Sequence, residues 1–409
     1  MFTMQDENRM PLKVWLSSRD ALEDSCLEQA QNLAALPFLH KWVALMPDTH
    51  MGMGMPIGGV IATTGVIIPN AVGVDIGCGM AFAETDIPAQ LLRETQTKSG
   101  SLLQCVIGDI LRNIPVGFAH HSQKQPCAAL NAAMQDADGY RANAALFEQL
   151  EKGYYQVGTL GGGNHFIELQ EDENGMLCIM LHSGSRHFGK QICDYYHNAA
   201  RELNQKWHSS VPEEFRLAFL PTDEPQGAAY IRWMNLALDF AAENRAHMLT
   251  AVQGILEKQL QKQLAITPNY GNEINCHHNY AALEHHYGKN VWVHRKGATR
   301  AREGELAVIP GAMGSYSYVV QGLGNAESFC SSSHGAGRKY GRKAAMQAFG
   351  TEEVMLDLKA QGVVLGKHNK SDVAEESRFA YKDIDSVMQD QQDLVRPVKR
   401  LKTVGVVKG

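Results

Sequence analysis

The residues best equipped for chemistry are histidines, cysteines and aspartates that interrupt glycine-rich turns. In Val72-Gly73-Val74-Asp75-Ile76-Gly77-Cys78-Gly79-Met80 an apolar run ends in a turn carrying a carboxylate and a thiol three residues apart. Oxygen and thiolate together suit Zn²⁺ or Mn²⁺, and flanking glycines let the backbone approach a ligand. Taken alone, such a cysteine is usually a small buried hydrophobe. Three further segments share this local grammar: Gly161-Gly162-Gly163-Asn164-His165, Leu181-His182-Ser183-Gly184-Ser185-Arg186 and Ile274-Asn275-Cys276-His277-His278-Asn279. Any one of these histidines could be a satisfied core residue. Together with Asp75 and Cys78 they supply enough O, S and N donors for two metal ions, which can clamp a phosphoryl group between attacking and leaving oxygens.

A different chemistry is offered by Ser331-Ser332-Ser333-His334-Gly335-Ala336-Gly337-Arg338. Its small residues leave backbone N–H groups free to cradle an anion, and its histidine could serve as acid, base or nucleophile toward phosphorus. Asp48 and His50 follow an apolar run, where a base or a residue orienting a ligand would be useful. Arg186, Arg295, Lys296, Arg300, Arg338 and Lys339 lie beside these segments and could form a local surface for phosphates.

These groups need strands that end in turns. Trp42-Val43-Ala44-Leu45-Met46, Cys178-Ile179-Met180-Leu181, Val291-Trp292-Val293 and Tyr316-Ser317-Tyr318-Val319-Val320 read as strands, as does alternating Asn164–Leu169. Residues 51–87 fit short strands with tight turns. Residues 88–150 look partly helical and 187–265 mostly helical, with Tyr230, Met234 and Leu238 then Met248, Val252 and Ile255 as a core-facing stripe. The apolar run before Lys408 argues for a docked C-terminus, since a free tail would be more polar. Neither repeat nor linker interrupts residues 1–409, so a single α+β domain is expected, with a central β-rich core of several layers flanked by helices. The balance of 44% hydrophobic and 20% charged residues is that of a globular protein, and a net charge of −6 argues against a generic nucleic-acid coat while permitting a local basic groove. Eight cysteines without CxxC spacing imply free thiols. The N-terminus lacks a secretory pattern and no apolar run is membrane-length, so a cytoplasmic protein without membrane contact is expected.

Read together, the segments resemble the RtcB family of RNA ligases. The resemblance extends from about residue 12 to the end. It rests on Met46–Gly52, Gly73–Met80, Gly158–Glu168, Leu181–Arg186, Glu273–Tyr280, Ile309–Gly311, Ser333–Arg338, Ala380–Asp385 and Val407–Gly409. It implies two Mn²⁺ ions and GTP as cofactors. Cys78 would bridge the metals, His165 and His182 completing one site, Asp75 and His278 the other. His334 would carry GMP, with Asp48 a second catalytic residue. Asn164, His165, Phe166, Glu168, His278, Asn279, Pro310, Met313, Ser317, Gly335, Gly337 and Lys408 would surround the guanylate, with their neighbours Ile167, Gly311, Ala312 and Ala336. RNA phosphates would meet Arg186, Arg295, Lys296, Arg300 and Arg338. The implied reaction joins an RNA 3′-phosphate or 2′,3′-cyclic phosphate to a 5′-hydroxyl, in RNA repair or tRNA splicing, by a monomer whose need for an activating protein is open.

Departures from the pattern touch no ligand. His187 and Phe188 follow Arg186 where small residues are usual, Ala312 replaces a common serine, Ser332 a common cysteine, and residues 101–150 lack a basic stretch. They point to a specialised repair paralogue. A two-metal phosphoesterase would use the same ligands, but it would need neither the 333–337 nest nor a nucleophile within it. An RNA-binding protein without activity would be expected to have lost a ligand.

Overall fold

The computed structural model describes the backbone of residues 1–409 and every side chain except that of residue 137. Two sheets organise the chain. The larger runs, in spatial order, through strands Tyr270–His277, Gly79–Pro88, Met176–Ser183, Phe166–Glu171, Val395–Lys408, Tyr316–Gly322 and Leu306–Ile309, all antiparallel. Val364–Gly366 adds a short parallel pairing to Val395–Lys408. The second sheet orders Phe2–Met4, Leu12–Val14, Leu39–His50, Ile57–Thr63, Lys289–Lys296 and Asn279–His286. This is the expected α+β architecture.

The middle of the large sheet is covered on both faces, so Met176–Ser183 and the first half of Gly79–Pro88 read as near-continuous apolar runs, whereas the edge strand Tyr270–His277 is polar and mostly exposed or half-buried. Ile179 and Leu181 pack with Ile167, Leu169 and Val407 against the helices. Cys178 and Met180 point the other way, with Met80, Phe82, Phe166 and Val406. Since side chains alternate along a strand, the second face carries the site. Register sets Met80 opposite His182, His182 opposite Phe166, and Phe166 opposite Lys408, giving one row of side chains across four strands.

Helices close the first face. Leu102–Asn113 starts at a capping box between Ser101 and Gln104 and buries Leu103, Val106, Ile107 and Ile110. The 40-residue helix Pro225–Leu264, about 60 Å long, has proline in its first turn and stops at Ala265 in the left-handed conformation. Its stripe is core, as read from the sequence: Tyr230 and Met234 pack in one cluster, Met248 and Val252 in another. Each of these fully buried side chains contributes about 1.5–3 kcal/mol. The stretch 187–265, expected to be mostly helical, is so, as two helices, Arg186–Lys206 and Pro225–Leu264. Pro212 and Pro221 fall between them, and proline removes a helical N–H bond. The C-terminus is docked: Val395–Lys408 is an interior strand and Lys408 is buried. Among the described residues, no helix is long and apolar enough to cross a membrane.

Candidate active site

The turn after Val72 and the strand ends bring five side chains together. Cys78 Sγ lies 3.2 Å from His182 Nε2 and 3.5 Å from His165 Nε2. His278 Nε2 lies 3.2 Å from His182 Nε2, and Asp75 Oδ2 lies 3.1 Å from His165 Nε2. Two donors sharing one ion through bonds of about 2.1 Å stand about 3–3.5 Å apart, so these separations suit a common cation. His165 Nδ1 faces the Leu160 carbonyl at 2.9 Å and His182 Nδ1 the Asn164 carbonyl at 3.2 Å. A carbonyl only accepts, so each ring donates from Nδ1 and keeps its Nε2 lone pair for a metal. Burial, helped by the neighbouring imidazoles, pushes the His182 and His278 pKa values far below the usual range, leaving both rings neutral. Burial likewise pushes the Cys78 thiol well up, so a bound cation must displace its proton. Buried Asp75 Oδ1 and His278 Nδ1 have no partner among the described residues, which fits a site made for something more than protein. A Cβ at residue 184 would collide with the Asp75 carboxylate, so the glycine of His182-Ser183-Gly184 admits that ligand.

The five donors form one continuous set of contacts. Asp75 stands with His165 and His278 with His182, with Cys78 touching both histidines. Cys78, His165 and His182 also offer donor atoms that all lie within 4.8 Å of one another, the trio the resemblance groups around one ion. His277 is turned away: its Nδ1 faces Arg245 and the Gly77 carbonyl at 3.1 Å.

Beside the cluster lies a cavity of about 380 Å³, a size suited to a small ligand. Asn164, Phe166, Glu168, His182, the 310–313 turn, the His334–Gly337 nest and Lys408 line it. His334 joins the two regions, its ring centroid 4.7 Å from that of His278. Asp48, 286 residues away in sequence, holds it: Oδ2 accepts from His334 Nδ1 at 2.7 Å and from the backbone N–H groups of His334 and Gly335 at 3.0 and 3.3 Å. This leaves His334 Nε2 as the free lone pair. Gly337, at φ +75°, lets the nest close over the Asp48 backbone, where a Cβ would clash.

Several expected guanylate contacts take other positions. Ile167 faces the helices, because alternation sends it opposite to Phe166 and Glu168. Asn279 accepts from Gly297 N–H and donates to the Asp75 carbonyl, tying loops together outside the cavity. Ser317 accepts from Gly311 N–H and Gln170, supporting the 310–313 turn from beneath. Lys408 is not a mobile cation. Its Nζ is 3.1 Å from Glu376, which also takes Tyr381 O–H and Arg338.

The expected basic surface does not form as such. Arg295 is fully buried, bonded to Glu284, Ser331 and the Phe329 carbonyl. Lys296 is buried against the Met53 and Asn70 carbonyls. Their strand lies inside the second sheet, so both faces are covered, and neither cation can meet RNA. Arg300 pairs with Glu305 away from the cavity, and Arg338 with Glu376 inside it. Arg186 is half-buried, donating to Thr159 and the Gly117 carbonyl.

Sequence reading missed Arg245, which is fully buried in the long helix. Its guanidinium bonds the carbonyls of Gly77 and Ser183, Asn275 Oδ1 and His277 Nδ1, so it grips all three segments that bear Cys78, His182 and His278. The preceding Asn244 ties Gly158, Thr159 and Gly184. A signal existed: Ala241, Arg245, Met248 and Val252 share one helical face, and an arginine in an apolar stripe needs a buried partner. Glu376, Tyr340 and Arg342 line the cavity without a local signal.

The chain matches the family model described as tRNA-splicing ligase RtcB over residues 29–409. It is 38% identical to the RNA-splicing ligase RtcB of Escherichia coli, spanning 98% of this chain and 97% of that one. Identity is 30% to the tRNA-splicing ligase RtcB of Pyrobaculum aerophilum, over 98% and 95% of the two chains. It is also 30% to the RNA-splicing ligase RtcB of Mycobacterium tuberculosis, over 93% and 100%. A family match of this extent, backed by relatives aligned nearly end to end, places the chain in the RtcB family.

Proposed function

We propose that the protein is a GTP-dependent RNA ligase that joins an RNA 3′-phosphate to a 5′-hydroxyl through a guanylate carried on His334, serving RNA splicing or repair. The observation that carries this reading is the setting of His334. Its Nδ1 is held by Asp48 at 2.7 Å, its ring abuts the metal-ligand cluster, and it lines a nucleotide-sized cavity. A phosphoesterase would need no such anchored nucleophile.

Nε2 of His334 attacks the α-phosphorus of GTP, forming a P–N bond as the P–O bond to pyrophosphate breaks. An oxygen of the RNA 3′-phosphate then displaces Nε2 and leaves a 3′-diphosphate-linked guanosine. The 5′-hydroxyl loses its proton and attacks the 3′-phosphorus, expelling GMP. Two Mn²⁺ ions, one held by Asp75, Cys78 and His165 and one by Cys78, His182 and His278, would supply charge neutralisation on the phosphoryl oxygens. Glu168 lines the cavity; its Oε2 already accepts from Gln170 and Thr403, so Oε1 is the oxygen left to accept an N–H bond from guanine. The nest of Gly335–Gly337 offers backbone N–H groups to the phosphate. Lys339 and Arg342 are exposed at the cavity mouth and take over, as RNA contacts, from the buried Arg295 and Lys296.

The test is covalent labelling. With Mn²⁺ and α-radiolabelled GTP, the wild-type chain should carry label through denaturing electrophoresis, and His334→Ala should retain Mn²⁺ but take up none. Label persisting on His334→Ala would place the nucleophile elsewhere.

A further inference from the structure

Phe118 is the one exposed phenylalanine among the described residues, at 101% of its reference area. A single exposed apolar side chain is ordinary, but this one is held out by its backbone. Gly117 N–H donates to the Gly161 carbonyl at 2.8 Å, Ala119 N–H to Val116 at 3.1 Å, and His121 N–H to Tyr155 at 3.0 Å. Gly117 sits at φ +63°, turning the chain so that Phe118 heads into solvent. His121 Nε2 faces the Gly158 carbonyl at 3.2 Å and closes the other side. The loop is thus pinned before and after the ring, which stands fully in solvent.

The place it is pinned to matters. Gly161 begins the loop that delivers Asn164 to the cavity and His165 to the ligand cluster. Arg186 Nη2 donates to the Gly117 carbonyl at 3.0 Å, so a guanidinium lies against the residue preceding the ring. An outward aromatic face beside a cation, at the edge of a site for phosphoryl chemistry, matches single-stranded nucleic acid. Unpaired bases stack on aromatic rings whatever their identity, while the cation takes the backbone charge.

We propose that Phe118 is a stacking platform for an unpaired base of the RNA strand bound at the metal end of the site. The inference rests on the ligase reading for the identity of the strand, and it deepens that reading by naming where the strand is gripped. Stacking accepts any base, so Phe118 would set affinity for a frayed or single-stranded end without sequence preference.

The experiment uses the full chain, Mn²⁺ and RNA oligonucleotides bearing 2-aminopurine at successive positions near the 3′-phosphate or 5′-hydroxyl end. Stacking on Phe118 should quench the fluorescence at one position, and Phe118→Ala should abolish that quench. RNA affinity in the variant, measured by anisotropy, should fall about tenfold, with Phe118→Trp restoring both signals. Labelling by GTP, which takes place in the neighbouring cavity, should be the same in all three proteins. Unchanged quench and affinity in Phe118→Ala would overturn the platform. Neither binding readout requires ligation. A wild-type chain that quenches but neither labels nor seals would sink the ligase reading while supporting the platform.

Discussion

Asp48 offers the sharpest test of how the site works, because one oxygen of its carboxylate takes three N–H groups, the shortest from His334 Nδ1 at 2.7 Å. The substitution Asp48→Asn can present its carbonyl oxygen where Oδ2 stands. All three bonds then survive as neutral ones, and the His334 tautomer is kept. A hydrogen bond to a charged partner is worth about 1.5–3 kcal/mol and a neutral one about 0.5–1.5. The difference of roughly 1–1.5 kcal/mol corresponds to about tenfold in rate. Asp48→Ala is a different perturbation. Nδ1 loses its acceptor, the ring can carry its proton on Nε2 or rotate, and the nucleophilic lone pair is no longer aimed. Loss of an orienting carboxylate behind a catalytic histidine costs about 10³- to 10⁴-fold. The unmet backbone N–H groups of His334 and Gly335 add about 1–3 kcal/mol each to the destabilisation. The assay is single-turnover transfer from α-radiolabelled GTP, with Mn²⁺ content and melting temperature measured on the same preparations. The expected order is wild type, then Asn about tenfold slower, then Ala about a thousandfold slower, with Mn²⁺ retained throughout. A folded Asp48→Ala protein labelling within twofold of wild type would refute the anchoring role. An Asn variant as slow as Ala would refute the idea that a neutral acceptor is enough to hold the productive tautomer.

Cys78→Ala should retain little Mn²⁺ after dialysis, by metal analysis, because it removes the donor shared by both ligand groups; full occupancy would refute the bridging assignment. Arg245→Met should weaken Mn²⁺ binding about 10- to 100-fold, the usual cost of losing a residue that orients ligands; Arg245→Lys should recover part of it, and equal Mn²⁺ titrations for all three proteins would count against this role. Burial pushes the Glu168 carboxyl up to about 7, above its ordinary value of 4.5. The fold therefore holds that proton more tightly than the unfolded chain does. Its stabilising contribution is complete below about pH 4.5 and is lost as pH rises through 7. Glu168→Gln, which cannot ionise, should gain in unfolding free energy over wild type as pH is raised from 5 to 8, by at most about 3 kcal/mol, while its KM for GTP rises; parallel pH profiles would contradict this account.

Much of the site was legible in the sequence because ligand chemistry has a local signature. Asp75, Cys78, His165 and His182 sit where an apolar run meets a glycine-bearing turn, His278 sits where one strand gives way to the next, and the structure delivers all five to one place. The docking of Lys408 was readable for a similar reason, since an apolar run cannot remain free in water. The strand at 42–46 and those at 178–181, 291–293 and 316–320 were readable from their apolar and β-branched content alone.

What remained hidden depends on which segments become neighbours. Asp48 and His334 read as separate turn residues, and only the closing of the 334–337 nest over the strand Leu39–His50 makes them a pair. The grouping of ligands around Cys78 follows from strand register, which a linear sequence does not encode residue by residue. Arg295 and Lys296 look like a solvated run, yet their strand has a neighbour on each side and cover on both faces, so both cations spend their hydrogen bonds internally. Arg245 shows the converse. Its local context predicts only a helix, and its function arises because the helix passes behind three ligand segments at once. Local sequence determines which groups can do chemistry and which element carries each, since backbone preferences and side-chain periodicity act over a few residues. Burial, partner choice and the orientation of a lone pair come from contacts between segments tens to hundreds of residues apart, and the tertiary structure alone decides those.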